Sequence, residues 1–416
     1  MKHANLRRCL ATVGAAALVV TALTVPASAA QAKAAPAKAP AAAYDTGRND
    51  LQTVADAYRA SFKDLSPEAA LTAARAQAGS ATFRQSLDVE KDTWAGGWFD
   101  PHTAEFHIAV TTPAAAKDVA TAAARTPGLI VNTHQVARSM RELGEQVERI
   151  RSGTDKLAKA ADGDVTIDVL TNEVVVRVPK TRFAALSAAD VPVGVRVEQG
   201  TKVTQHLDAC TSRTDCDNDL RAGLVLRRSG SLWCSLGFTA RSNGIKWALT
   251  AGHCVGTIGE SWSNGTATIR TVGPATDFLN SGNQDAGAIQ VTNAFYTAQT
   301  AGRIMIGPSS FSPVTGESFN LVNDVNCLSA SYTNPARAGN PCATVTEVGA
   351  AIKTKMVGYD PCGGDSGGGW YWLPGSGNRY AVALHSSSLT GCNVANGEAW
   401  ASPLNAFWSA LVYETS

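Results

Sequence analysis

Gly363-Gly364-Asp365-Ser366-Gly367-Gly368-Gly369 carries no side-chain bulk except at Asp365 and Ser366, and Cys362 stands directly before it. Glycines let a backbone turn tightly and approach a ligand closely. They also leave N–H groups free to point at a developing negative charge. Glycine-rich loops are common, but Gly-Asp-Ser-Gly-Gly behind a cysteine is far rarer, and the run marks Ser366 as a candidate nucleophile. A hydroxyl attacks poorly at neutral pH unless a base stands beside it, itself oriented by a third group.

Downstream of residue 210 the chain has two histidines, His253 and His385. His253 lies in Leu249-Thr250-Ala251-Gly252-His253-Cys254, where an apolar strand ends in a small, tight turn. A rigid frame of that kind suits a general base, although a histidine beside a cysteine is more often structural.

His253 in TAGHC and Ser366 in GDSGG, in that order, resemble the chymotrypsin-fold (S1) serine peptidases, and specifically their bacterial streptogrisin and α-lytic protease branch. The resemblance covers nearly everything after the N-terminal linker. It implies a mature domain that is all-β, a double six-stranded antiparallel β-barrel with a C-terminal helix, and a triad at the barrel junction. Asn283-Gln284-Asp285-Ala286-Gly287-Ala288-Ile289 resembles the family's Asn-x-Asp lead-in to a strand, which makes Asp285 the acid; Asp277 is its competitor. Roles carried over are Ser366 as nucleophile, His253 as base, Asp285 as orienting acid, and the N–H groups of Gly364 and Ser366 as oxyanion donors. Ser386 matches the serine that supports the acid and lines the substrate strand.

The texture of the second half agrees. After about residue 200 helical periodicity gives way to short β-branched runs between turn signals, as barrels and sandwiches require. The clearest are Leu224–Leu226, Ala248–Thr250, Ala267–Ile269, Ala286–Val291, Phe319–Val322 and Tyr380–Leu384, while Pro403 to Val412 reads as a helix. Apart from Cys9 there are eight cysteines, all in this half, and an even number in an exported chain predicts four disulfides. No Cys-x-x-Cys spacing supports zinc. By the resemblance the pairs are Cys234–Cys254, Cys362–Cys392 and Cys327–Cys342, leaving Cys210 with Cys216.

Residues 50–200 have no cysteine and read as α+β. Helical spacing runs from Asp50 to about Ala78, with Ser66-Pro67-Glu68 restarting the helix. Trp94 to Val110 predicts strands around a turn, Val136 to Leu157 a helix, and Val165 to Val178 a hairpin tipped by Thr171-Asn172. The Trp94–Asp100 motif, Phe106 to Thr111 and that hairpin resemble the pro-region of the same bacterial proteases, which assists folding and then inhibits; an independent binding domain is the alternative. The cut is expected between about 195 and 222, ahead of or within a protease domain at 201–416.

At the start, Lys2, Arg7 and Arg8 precede an apolar run from Cys9 to Val25 and a Pro26-Ala27-Ser28-Ala29 cleavage pattern. That is a signal peptide, residues 1–29, cut after Ala29 or Ala30, and it implies secretion to the extracellular medium. Residues 30–49 are a low-complexity Ala/Pro/Lys linker. A net charge of +1 without a basic tract gives no footprint for nucleic acid. No membrane partner, metal or cofactor is implied; the expected partners are protein or peptide substrates and the chain's own pro-region, in a monomer.

Specificity is divided. Cys362 stands four residues before Ser366, the spacing of trypsin-like enzymes, which puts Asp360 at the base of the primary pocket and favours Arg or Lys there. His385 and Ser388 occupy positions that glutamate-specific relatives use for an acidic side chain. Leu328 replaces an arginine that commonly pairs with the residue matching Asp365, and Arg337 is a possible substitute. The rival readings are a catalytically weak or inactive binding protein on the same fold, and an esterase using the same triad.

Overall fold

Short β-branched runs between turns pair in the computed structural model into two barrel-like sheets. It describes residues 44–45, 47, 49–161, 165–184, 186, 190–200, 213, 220–228, 233–265, 269–281, 284–298, 300–307, 310–331, 339–349, 351–356, 361–375, 377–388, 397–404 and 412–413. The expected signal peptide, most of the linker, Asp360, Arg337, Cys210, Cys216 and Cys392 lie outside the described residues. In the second barrel six strands close a ring in the order Gly369–Trp372, Val325–Ser329, Asn340–Glu347, Ile352–Met356, Glu398–Pro403 and Arg379–Ser388, the last pairing back to the first. Every pairing in that ring is antiparallel. The first is a half-barrel, running Trp233–Ser235, Val225–Arg228, Ser261–Asn264, Arg270–Ser281, Gln284–Gln290, Ile245–Thr250, Phe238–Ser242 and Val412–Tyr413. This is the double-barrel architecture of chymotrypsin-like proteins. Leu226, Trp262, Val272 and Ile289 fill the first barrel.

The N-terminal half builds as its caps dictate. Asn49 accepts from Gln52 N to start the helix Asp50–Ser61, and Ser66 accepts from Ala69 N to start Pro67–Gly79. Strands Trp94–Asp100 and Glu105–Val110 pair antiparallel, and Ile130–Gln135 adds in parallel after a helix at Pro113–Ala124. The hairpin Val165–Asp168 with Glu173–Pro179 turns at Asn172, which takes φ +54. Val174 and Val176 share one apolar cluster with Val345, Met356 and Trp370 of the second barrel.

Two expectations change. The helix expected at Val136 to Leu157 begins only at Met140, because Val136 N still donates to Val110 O (2.9 Å) and Ser139 with Glu142 forms a capping box. It ends at Ser152, and a separate short helix follows at Lys156–Ala161. Phe319–Val322 is not a strand: Leu321 N donates to the Asp324 carboxylate (2.7 Å), and Val322 makes an isolated bridge to Trp98. The helix expected from Pro403 to Val412 falls mostly on 405–411, outside the described residues; before it the strand Glu398–Pro403 ends and Leu404 begins a 3-10 turn. Ala267 and Thr268 also lie outside them, and Ile269 precedes the strand Arg270–Ser281.

Candidate active site

The strand Ile245–Thr250 carries the chain into a single 3-10 turn, Gly252–Cys254, which presents His253. Cys254 bridges to Cys234, closing a loop of sequence separation 20. Chain-entropy arguments give such a bridge about 3 kcal/mol. Next to that strand runs Gln284–Gln290, with Thr250 opposite Gly287, and this register sets Asp285 beside His253.

Asp285 and His253 are joined twice. Backbone N of His253 donates to Asp285 Oδ1 at 2.7 Å, and His253 Nδ1 meets Asp285 Oδ2 at 2.7 Å. Burial pushes the Asp285 carboxyl up, but the hydrogen bond and charge of His253, with a hydrogen bond from Ser386, outweigh it and hold the group below the usual carboxylate range. Ser402 Oγ accepts from Asp285 N at 2.8 Å. Asp277 instead faces Ala288 across the neighbouring strand.

Ser366 sits in its glycine turn between the barrels, 5% exposed. Gly364 and Gly367 take φ +90 and +85, in the left-handed region. A Cβ on Gly367 would collide with Thr250 Oγ1, and with Ser235 O at 2.6 Å, so the turn packs against the strand that leads to His253. Ser366 O accepts from Ser235 N (2.7 Å), and Gly367 N donates to His385 O (2.7 Å). The N–H of Asp365 is used by Cys362 O (2.9 Å); those of Gly364 and Ser366 donate to nothing among the described residues. Two unused donors flanking a used one have the arrangement that an oxyanion site needs.

Ser366 and His253 share no hydrogen bond in the structure. Ser366 Oγ donates to Ser386 O at 3.4 Å, and His253 Nε2 is buried with no partner among the described residues. Such bonds are often loose before substrate arrives.

His385 is 1% exposed, and Trp370 Nε1 donates to its Nδ1 at 3.4 Å. Burial, then the nearby His253, pushes its pKa down to about 3, against the opposing Asp285. The ring is therefore neutral, with the proton on Nε2. Ser386 and Ser388 are buried on the same strand. Asp365 is fully buried and accepts from Cys362 N at 2.9 Å; Leu328 faces Trp370 across the sheet. Cys327 bridges to Cys342, and Cys362 is disulfide-bonded. Sequence reasoning missed Ser235, whose Oγ donates to Gly364 O (2.7 Å), and Ser402; a serine among many carries no signal of its own. Among the described residues no group of three His, Cys, Asp or Glu is placed to hold a metal.

No protein-family profile matches the chain. It is 28% identical over 349 residues to Serine protease 1 of Streptomyces fradiae, covering 80% of this chain and 87% of that protein. That span is longer than everything after residue 201, so the likeness reaches into the N-terminal half. It is 31% identical over 154 residues to Serine protease 2 of Streptomyces fradiae, covering 36% of this chain and 86% of that protein. With Streptogrisin-A of Streptomyces griseus it shares 35% identity over 154 residues, 36% of this chain and 47% of that protein.

Proposed function

Because the chain belongs to the chymotrypsin-fold serine peptidases of the bacterial streptogrisin type, we propose that it is a secreted endopeptidase made as a zymogen and working through Ser366, His253 and Asp285. Serine endopeptidase activity goes with the family. The observation that carries the residue assignment is the double hydrogen bond from His253 to Asp285, with His253 Nε2 left unpartnered among the described residues.

In this mechanism His253 Nε2 takes the Ser366 proton as Oγ attacks the scissile carbonyl. Asp285 holds the proton on Nδ1 and stabilises the imidazolium that forms. The new oxyanion is received by the N–H groups of Gly364 and Ser366. The proton then passes from His253 to the leaving amine, and water repeats the cycle on the acyl-enzyme.

Support for a pro-region comes from the way residues 50–200 hold the second barrel. Arg84 forms an ion pair with Asp324 (2.6 Å), both 1% exposed in their side chains, and Arg177 pairs with Glu347 (2.5 Å). Phe99 N donates to Val322 O at 2.8 Å. Arg213, inside the expected cut range of about 195 to 222, also donates to the second barrel, to Ser329 Oγ (2.8 Å) and Asn340 Oδ1 (2.7 Å). Slow folding of a β-rich, high-contact-order domain gives a template its purpose.

Ser366→Ala is the test. The variant is expected in the medium at full length, without casein hydrolysis and without labelling by a serine-directed phosphonate. A shortened Ser366→Ala chain would show that processing is not self-inflicted, and faster turnover of acyl esters with no casein hydrolysis by the parent would favour the esterase.

A further inference from the structure

Arg379 opens the strand Arg379–Ser388 and is fully buried. A guanidinium has five N–H donors, and all are engaged here. Nε donates to Asp45 Oδ2 (3.0 Å), and Nη2 to Asp45 Oδ1 (3.0 Å) and Asp50 Oδ1 (3.1 Å). Nη1 donates to Asp50 Oδ2 (3.0 Å) and to Asn378 O (2.8 Å). Every partner but the last is a carboxylate of the N-terminal half. The second barrel adds two more donors to the same carboxylates: Tyr371 OH to Asp45 Oδ2 (2.7 Å) and Gly377 N to Asp50 Oδ2 (3.1 Å). Backbone pairing joins in, because Tyr44–Asp45 lies antiparallel against Asn340–Pro341.

Sorted by ownership, Arg379, Tyr371, Gly377 and the Asn340 edge belong to the protease barrel, and the two carboxylates belong to one segment of the N-terminal half. Two bidentate carboxylate–guanidinium pairs give geometric selectivity as well as attraction. A guanidinium stripped of its anions in such surroundings is strongly unfavourable, so the emptied socket must hydrate or take other anions. We propose that, once the N-terminal half has been cut away and released, this socket is a second peptide-binding site of the protease, taking an acidic segment that carries two carboxylates five residues apart. The inference rests on the zymogen reading above. Arg379 stands seven positions before Ser386 on the same strand, about 23 Å at extended rise. An acidic stretch held there tethers a protein substrate away from the scissile bond, so it lowers KM for such proteins and leaves short substrates unaffected.

The test uses the secreted, processed enzyme and the peptide Tyr-Asp-Thr-Gly-Arg-Asn-Asp, the sequence of residues 44–50. Calorimetry is expected to detect binding that is at least about tenfold weaker for the same peptide with both aspartates as asparagine, and that weakens with salt. Arg379→Lys enzyme, which keeps the charge and loses the fork, is expected to bind the parent peptide at least about tenfold more weakly with unchanged turnover of a short acyl ester. Should that variant not be secreted, the peptide pair decides alone. Equal affinity of the two peptides, or no binding by a shortened and active chain, overturns the proposal and leaves the zymogen reading intact. A secreted chain whose mass still includes residues 44–200 overturns both.

Discussion

Asp285 receives two hydrogen bonds from one residue, His253, through its backbone N–H and its ring Nδ1, each at 2.7 Å. The first fixes where the turn sits, and the second fixes which ring nitrogen carries the proton. Asp285→Asn keeps the shape and presents an N–H to Nδ1, so it selects the wrong tautomer. The expected result is a fall in kcat of about 10⁴ with KM nearly unchanged, read by steady-state kinetics on a peptide substrate. A loss below tenfold would remove Asp285 from the catalytic unit.

His385 supplies a pH dependence that catalysis does not need. Its folded value of about 3 lies below the ordinary histidine value, because a buried neutral ring resists charging. The unfolded chain therefore takes the proton first as pH falls. Stability from this group is complete above roughly pH 6.5 and declines toward pH 3, at a slope near 1.4 kcal/mol per pH unit. Melting Ser366→Ala precursor across that window, with and without His385→Gln, reads the slope directly, and His385→Gln is expected to flatten it. Asp285 adds to the acid loss at lower pH: its depressed carboxyl stabilises above the unfolded carboxylate value and gives that up as pH falls through its own.

Much of the site was legible because its chemistry is local. A glycine run around Ser366, a turn ending in His253-Cys254, and the strand after Asp285 each carry their signal within a few residues. What the sequence hid was long-range. Ser235 and Ser402 act through contacts made across strands, and nothing adjacent marks them. Phe319–Val322 reads as a strand by composition, but the Asp324 carboxylate captures the Leu321 N–H that a ladder would use. The helix Pro113–Ala124 had a cap at Thr112 and a proline in its first turn, and its alanine-rich face was simply too bland to stand out.

Gly367 tests the packing between loop and barrel. At φ +85 it holds a conformation that other residues rarely adopt, and its missing Cβ makes room for Thr250 Oγ1 and for Ala251 N, which a Cβ would approach to 2.7 Å. Gly367→Ala must push the nucleophile loop away from the His253 strand. Misplacement by about 1 Å costs on the order of 100-fold in rate. The expected outcome is an at least comparable drop in kcat, with phosphonate labelling slowed in proportion; unchanged labelling would show that the loop tolerates the shift.

Arg84 and Asp324 test whether the two halves depend on one another. Arg84 donates to Asp324 through Nη1 (2.7 Å) and Nη2 (2.6 Å), and both side chains are almost wholly buried. Arg84→Met leaves Asp324 as an unpaired buried charge, a defect that typically costs about 3–5 kcal/mol. In urea melts of the Ser366→Ala precursor, Arg84→Met should therefore lose several kcal/mol. Asp324→Asn should lose a similar amount, since the guanidinium is then the orphan. The double variant is expected to cost clearly less than the two single losses added together, because the second substitution removes the charge that the first stranded. Strict additivity would mean that Arg84 and Asp324 act separately, and the grip of the N-terminal half would have to rest on its other contacts.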